Sequence, residues 1–228
     1  MNIRILKKLS ALMLAGSVML MGCTVTVGGV GAHSVIGSGK QATEQRPVSD
    51  INSVVLANSG TLFVEYGANE SLSVTADDNI LPLLTSNVAG GRLTLGTQPN
   101  TSITSYNPII YHLTVKDLNA LEISGSGDAS LAGVNADNMN FRISGSGSLT
   151  ATGTTKDQDV SISGSGSYNG DNLDTQQAAV AVLGSGSAVV KVSDSLKVNV
   201  SGSGSVTYIG NPKLVDKHVT GSGSVNQR

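Results

Sequence analysis

Six short stretches of this chain read almost alike: Ile123-Ser-Gly-Ser-Gly-Asp128, Ile143-Ser-Gly-Ser-Gly-Ser148, Ile162-Ser-Gly-Ser-Gly-Ser167, Val182-Leu-Gly-Ser-Gly-Ser187, Val200-Ser-Gly-Ser-Gly-Ser205 and Val219-Thr-Gly-Ser-Gly-Ser224. Their first glycines stand at 125, 145, 164, 184, 202 and 221, in steps of 20, 19, 20, 18 and 19 residues. A repeat of this constancy is the mark of a stacked architecture. A Gly/Ser-rich composition alone also suits a flexible linker. Here, however, each block is flanked by alternating apolar residues, such as Met139, Phe141 and Ile143 before one copy and Val206 and Tyr208 after another. Alternation with period two marks strands with one buried face, and a linker has no need of it.

About 19 residues is too short for a pair of helices and too long for one strand. It fits one coil of a β-solenoid, in which each coil pairs only with those above and below, about 4.8 Å away. Equivalent positions then form ladders. Ile123, Ile143, Ile162, Val182, Val200 and Val219 are expected to make one inward aliphatic column, with the serines and glycines of the blocks in separate ladders at a face or corner. Segments such as Gly133-Val-Asn-Ala-Asp137, Gly153-Thr-Thr-Lys-Asp157 and Gly210-Asn-Pro-Lys213 read as turns between them.

Outside the repeat the pattern is less regular. Leu72, Val74 and Ala76 alternate with polar residues, as do Tyr111, Leu113 and Val115, so residues 51–120 are expected to supply strands and longer coils closing one end of the solenoid. Asp78-Asn79-Ile80-Leu81-Pro82-Leu83-Leu84 reads as a short helical turn capped by Asp78. The expected organisation is a signal peptide over 1–22, a tether over 23–48 and a head domain over 49–228, with the repeats at 123–224.

The N-terminus carries an address. Arg4, Lys7 and Lys8 form a basic segment, and no acidic residue precedes Glu44. The apolar run 9–21 is shorter than the roughly 20 residues of a membrane-spanning helix. It closes on Leu20-Met21-Gly22-Cys23, which resembles the lipobox of bacterial lipoproteins. Cys23, the only cysteine, is therefore the expected lipidation site, its thiolate being the nucleophile for lipid transfer. Acyl chains contribute about 0.8 kcal/mol per buried methylene, and more than one gives stable anchoring. Thr24, rather than Asp, follows the cysteine; by resemblance to enterobacterial lipoproteins this points to the outer membrane, with the periplasmic or outward face left open. The membrane, through that anchor, is thus the first expected partner.

Composition narrows the function classes. Three of the 14 basic residues and none of the 16 acidic ones lie in 1–22, leaving 11 against 16, a formal charge of −5. Nothing here suggests nucleic acid as a partner. Aromatic residues make up 3%, tryptophan is absent and glycine numbers 28, a composition suited to a thin stacked core rather than a wide globular one.

The tandem Ser-Gly-Ser-Gly blocks, Asp77-Asp78-Asn79-Ile80-Leu81, and Tyr208-Ile-Gly-Asn-Pro212 before a last Gly-Ser-Gly block resemble the auto-transporter adhesin head domain family, also called the GIN-domain or DUF2807 family. The resemblance covers roughly residues 50–226. It implies an all-β fold, a right-handed parallel β-helix, often carried on a lipoprotein and without an established catalytic site. In many members the segment near Phe63 reads Gly-Ile-Asn, whereas here it is Thr61-Leu62-Phe63.

A catalytic role would need carboxylates converging on one face. Asp137, Asp157 and Asp194 precede their next blocks by eight, seven and eight residues, so they offer either a carboxylate ladder for Ca²⁺ or a sugar or simply residues that favour turns. His33, His112 and His218 stand apart, without metal-ligand spacing. Neither a Gly-x-Ser-x-Gly elbow nor a Gly-x-Gly-x-x-Gly fingerprint occurs. No catalytic, cofactor or metal residues are expected, and no cofactor. The expected function is a non-catalytic envelope module that binds a glycan or surface protein. The alternatives are a homo-oligomer stacking end to end as a structural protein, and a polysaccharide-active enzyme.

Overall fold

A computed structural model describes residues 33–228; the expected signal peptide over 1–22 and Cys23 lie outside the described residues. The repeat region forms a parallel β-solenoid of about five turns. Each coil has three walls. The first runs from Ser53–Leu56 through Ala120–Gly125 and the segments 138–145, 157–164, 177–184 and 195–202 to Leu214–Gly221. The second runs from Thr61–Tyr66 through 128–131, 148–151, 167–170 and 187–190 to Ser205–Ile209 and Ser224–Gln227. A short third wall holds 134–136, 153–155, 173–175 and 191–192. Among the described residues no helix is long and apolar enough to cross a membrane.

The Gly-Ser-Gly blocks are the corner between the first and second walls. The first glycine of each block has φ between +109° and +138°, a region that only glycine enters without strain. The next serine donates its N–H to the previous coil's glycine carbonyl, as Ser165 does to Gly145 at 2.9 Å. The corner glycines are therefore packed backbone on backbone. The serine between them, Ser165 in that coil, stays exposed.

Inside the coils the expected aliphatic column is present: Ile123, Ile143, Ile162, Val182 and Val200 are buried. Val219 holds the same register but remains 39% exposed, because among the described residues no coil lies beyond it. That last coil changes chemistry. Lys217 follows Val198 and Gln227 follows Tyr208 at positions that are apolar in the preceding coil. The Lys217 ammonium lies 3.2 Å from the Tyr208 hydroxyl and 4.6 Å from its ring centroid. A mid-solenoid coil is polar inside too. The Gln158 amide donates to the Tyr168 hydroxyl, and the Gln158 carbonyl accepts from Thr175 Oγ1 at 2.9 Å. All three side chains are buried, and each has a partner, which is what makes them tolerable there.

The N-terminal end departs from the parallel rule. Ser71–Asp77 pairs antiparallel with Ile110–Val115 and with Gln41–Arg46, and Leu84–Ala89 pairs antiparallel with Arg92–Thr97. The inward faces of the expected strands, Leu72, Val74, Ala76, Tyr111, Leu113 and Val115, are all buried. The expected tether is corrected over its second half. His33–Ile36 pairs parallel with Thr101–Thr104, and Gln41–Arg46 is a strand of the head. The latter strand is polar because it lies at an open edge. It is secured by its backbone ladder and by Arg46, whose guanidinium donates to the carbonyls of Leu81 and Leu84 at 2.8 Å each.

The Asp77-Asp78-Asn79 motif binds this end together rather than capping a helix. Leu81–Leu83 forms a 3₁₀ turn whose N-cap is Ile80, with no side-chain cap. Asp78 instead accepts from Ser38 Oγ at 2.6 Å, and Asn79 bonds the Ser38 N–H and the Ile36 carbonyl at 2.8 Å each. Asp77 accepts from Ser105 Oγ at 2.8 Å, from the Tyr106 N–H at 2.9 Å and from the Asn107 amide. Burial opposes ionisation of Asp77, but these hydrogen bonds, that from Asn107 foremost, outweigh it and hold the carboxyl below its ordinary range.

Candidate functional site

The third wall is short, and a concave groove lies along the solenoid there. The segments 133–137 and 153–157, expected as turns, are instead parts of unbroken strands, Asp128–Gly145 and Ser148–Gly164. These strands bend into the wall at register shifts such as those between Leu131 and Val134 and between Thr150 and Thr152. The larger part of the groove encloses about 860 Å³ between Asn52, Tyr66 and Asp117 at one end and Lys156 and Gln176 at the other. A second hollow of about 450 Å³ shares Thr154, Thr155 and Gln176 with it and continues past Val192 to Asn211. Together they run parallel to the stacking direction.

Register explains the lining. Asn138 pairs with Asp157, Asp157 with Gln177, Gln177 with Ser195 and Ser195 with Leu214. The residues just before these therefore form one corner column: Asp137, Lys156, Gln176, Asp194 and Lys213. Opposite charges fall on successive coils, and Lys156 lies 2.7 Å from Asp137 while Lys213 lies 2.8 Å from Asp194. Lys191 meets Asp174 at 2.8 Å on the same wall. The hydrogen bond and charge of Asp137 raise the pKa of Lys156, and Asp194 does the same for Lys213.

This overturns the carboxylate ladder. Asp137 and Asp194 share a column, but Asp157 belongs to the neighbouring one, and a one-residue difference in register separates them. Each of the two column carboxylates already has an ammonium partner. Among the described residues no group of three or more His, Cys, Asp or Glu is arranged to hold a metal ion. The histidines stay separate: His112 stacks on Phe63 and His218 lies beside Thr220.

What remains along the groove is hydrogen-bonding capacity with little uncompensated charge. Side-chain amides of Asn52, Asn119, Asn135, Asn138, Asn140 and Gln176 line it, and each brings two donors and an acceptor. The Tyr66 hydroxyl is kept protonated, first by burial and then by the nearby charge of Asp117. Such a surface suits a ligand carrying many hydroxyl or amide groups. Sequence reasoning found Asp137 here through its spacing but missed the amides, because they converge on one groove only once register is known.

The family described as "Putative auto-transporter adhesin, head GIN domain" matches residues 50–212, and the chain belongs to it. The solved structures it is similar to include a putative adhesin from Bacteroides fragilis NCTC 9343, at 18% identity and TM-score 0.69, covering 85% of this chain and 100% of that one. A second putative adhesin, from Parabacteroides distasonis ATCC 8503, shares 24% identity at TM-score 0.55, covering 86% and 100%. A putative lipid binding protein from the same Parabacteroides strain shares 22% identity at TM-score 0.52, covering 86% and 99%. At these identities the likeness shows a common fold. No curated protein matches the chain.

Proposed function

We propose that this chain is a non-catalytic adhesion module of the bacterial envelope, lipid-anchored through Cys23, whose third-wall groove binds a glycan. The observation that carries the reading is the groove itself: a long concavity, open along the stacking direction, lined by side-chain amides and by charges that, Asp117 apart, are already paired. Extended saccharides present hydroxyls at short intervals, and the amides that Asn119, Asn135, Asn138, Asn140 and Gln176 bring from successive coils, with coils about 4.8 Å apart, can meet them along the groove. Family membership supports adhesion and a location at the cell surface or envelope. The signal sequence ending at Gly22 and the lipobox support the anchor.

The other readings have less behind them. Hydrolysis or lyase chemistry needs a free acid and base converging on one bond, and the Asp137 and Asp194 carboxylates are engaged by lysines. End-to-end stacking requires an apolar, flat terminal coil, and inward charge at a terminal coil works against it; Lys217 occupies such a place.

Protease accessibility of the head on intact cells, together with fatty-acid labelling of wild type and Cys23→Ser, tests the assignment. Labelling that depends on Cys23, with cleavage on intact cells, is the expected result. Labelling with full protection would leave a periplasmic binding module and remove adhesion. Absence of labelling would remove the anchor.

A further inference from the structure

A second candidate site lies on the outer face of the second wall, away from the groove. There the outward row runs Gln45, Ser73, His112, Phe63, Ser130, Thr150 and on to Asn226, one residue per strand. Two rings stand side by side in it. Phe63 and His112 stack with centroids 5.1 Å apart and planes 16° from parallel. His112 covers one face of Phe63. On the other side the row drops at once to Ser130, and the adjacent row drops from Glu65 to Ala132. The step leaves a slot of about 280 Å³ bounded by Phe63, Glu65, His112, Ser130 and Ala132 over buried Val64 and Leu113. Phe63 remains 42% exposed.

We infer that this slot receives one uncharged pyranose ring, seated with its C–H face on the free face of Phe63. The spacing fits. Carbon atoms in good contact lie about 3.5–4.0 Å apart, and one coil step is about 4.8 Å. A ring laid on Phe63 therefore sits directly above Ser130, where the small side chain makes room. Hydroxyls at the ring edge reach the Ser130 hydroxyl and Glu65. One Glu65 oxygen accepts from Thr114 Oγ1 at 3.4 Å, and the second is free to accept from the sugar. No lysine or arginine lines the slot, so a carboxylated or sulfated sugar meets Glu65 without compensation and is disfavoured. The stacked His112 fixes the Phe63 ring in place, which limits the rotamer entropy lost on binding.

The site does not depend on the groove, and its test separates the two. The full chain, isotope-labelled, is titrated with methyl β-D-galactopyranoside and methyl β-D-glucopyranoside while the ring signals of Phe63 and His112 and the Ser130 amide are followed by NMR. Saturable shifts at these three residues are expected. Phe63→Ala should weaken binding about tenfold, in line with the contribution of one aromatic contact, and Glu65→Gln by a few fold, while Asn135→Ala in the groove leaves it unchanged. Shifts confined to groove residues, or none with either sugar, would overturn the slot. An unchanged affinity in Phe63→Ala, with its amide spectrum otherwise native, would do the same.

Discussion

Replacing Gly164 with alanine puts the corner under direct test. Gly164 has φ +118°, and a Cβ there would fall 2.5 Å from the Gly145 carbonyl oxygen and 3.3 Å from its carbon. Both contacts are backbone, so no side chain can swing aside. The backbone conformation alone costs an L-residue about 1–3 kcal/mol, and forced overpacking about as much again, giving roughly 4 kcal/mol in total. For a domain of this size each kcal/mol lowers Tm by about 2–4 °C, so thermal unfolding followed by far-UV circular dichroism should shift down by roughly 8–16 °C. Two comparisons divide the effect. Gly39→Ala has φ +78° with nothing within 4 Å of the new atom, so it carries the backbone cost alone and should shift less. Ser165→Ala, at an exposed position whose backbone N–H keeps its bond to Gly145, should lie within about 0.5 kcal/mol of wild type. If Gly164→Ala melts with the wild type, or Ser165→Ala falls as far as Gly164→Ala, the close-packed corner is wrong.

Three further outcomes follow from particular contacts. Tyr168→Phe leaves the buried Gln158 amide without its acceptor and should cost about 1–3 kcal/mol in denaturant unfolding. Tyr168→Phe with Gln158→Leu should recover much of it, since both partners are then gone and the Thr175 hydroxyl keeps the Leu173 carbonyl, 3.4 Å away, as acceptor. Asp77 is held below its ordinary range when folded, so its stabilisation is complete above the unfolded carboxylate value of about 3.9 and is lost as pH falls through the lower folded one. Melting temperature against pH should therefore drop more steeply on the acid side in wild type than in Asp77→Asn, and parallel curves would refute the role given to Asp77. Lys156→Gln removes an exposed ion pair, and such pairs add little to stability, so its melting temperature should match wild type even where ligand binding changes.

The solenoid was legible because it repeats. The spacing of the Gly-Ser-Gly blocks and the period-two flanks give coil length, strand positions and the inward column from Ile123 to Val200 without reference to any distant contact. The N-terminal strands were harder to read. Gln41–Arg46 has no apolar stripe, since it sits at an edge and is held by its backbone and by Arg46, and sequence pattern detects burial rather than edge pairing. Asp78 resembled a helix cap because Asp before an apolar run usually is one; its actual partner, Ser38, lies 40 residues away in sequence. The groove was least legible. Whether Asp137 stands beside Asp157 or beside Lys156 depends on a single residue of register, and the coils vary in length by one or two residues at that very wall. Phe63 was visible as a departure from the family pattern, but its stack on His112 depends on a pairing between strands about 50 residues apart.

The most direct test of the account is glycan binding by the groove. With the Phe63 slot removed by Phe63→Ala, the full-length protein should still bind a subset of an array of extended glycans. Adding Asn135→Ala and Gln176→Ala should abolish that binding while leaving the melting temperature unchanged, because both groove side chains are exposed. Equal binding with and without the two groove substitutions, or no binding to any glycan, would contradict the groove as the adhesive surface.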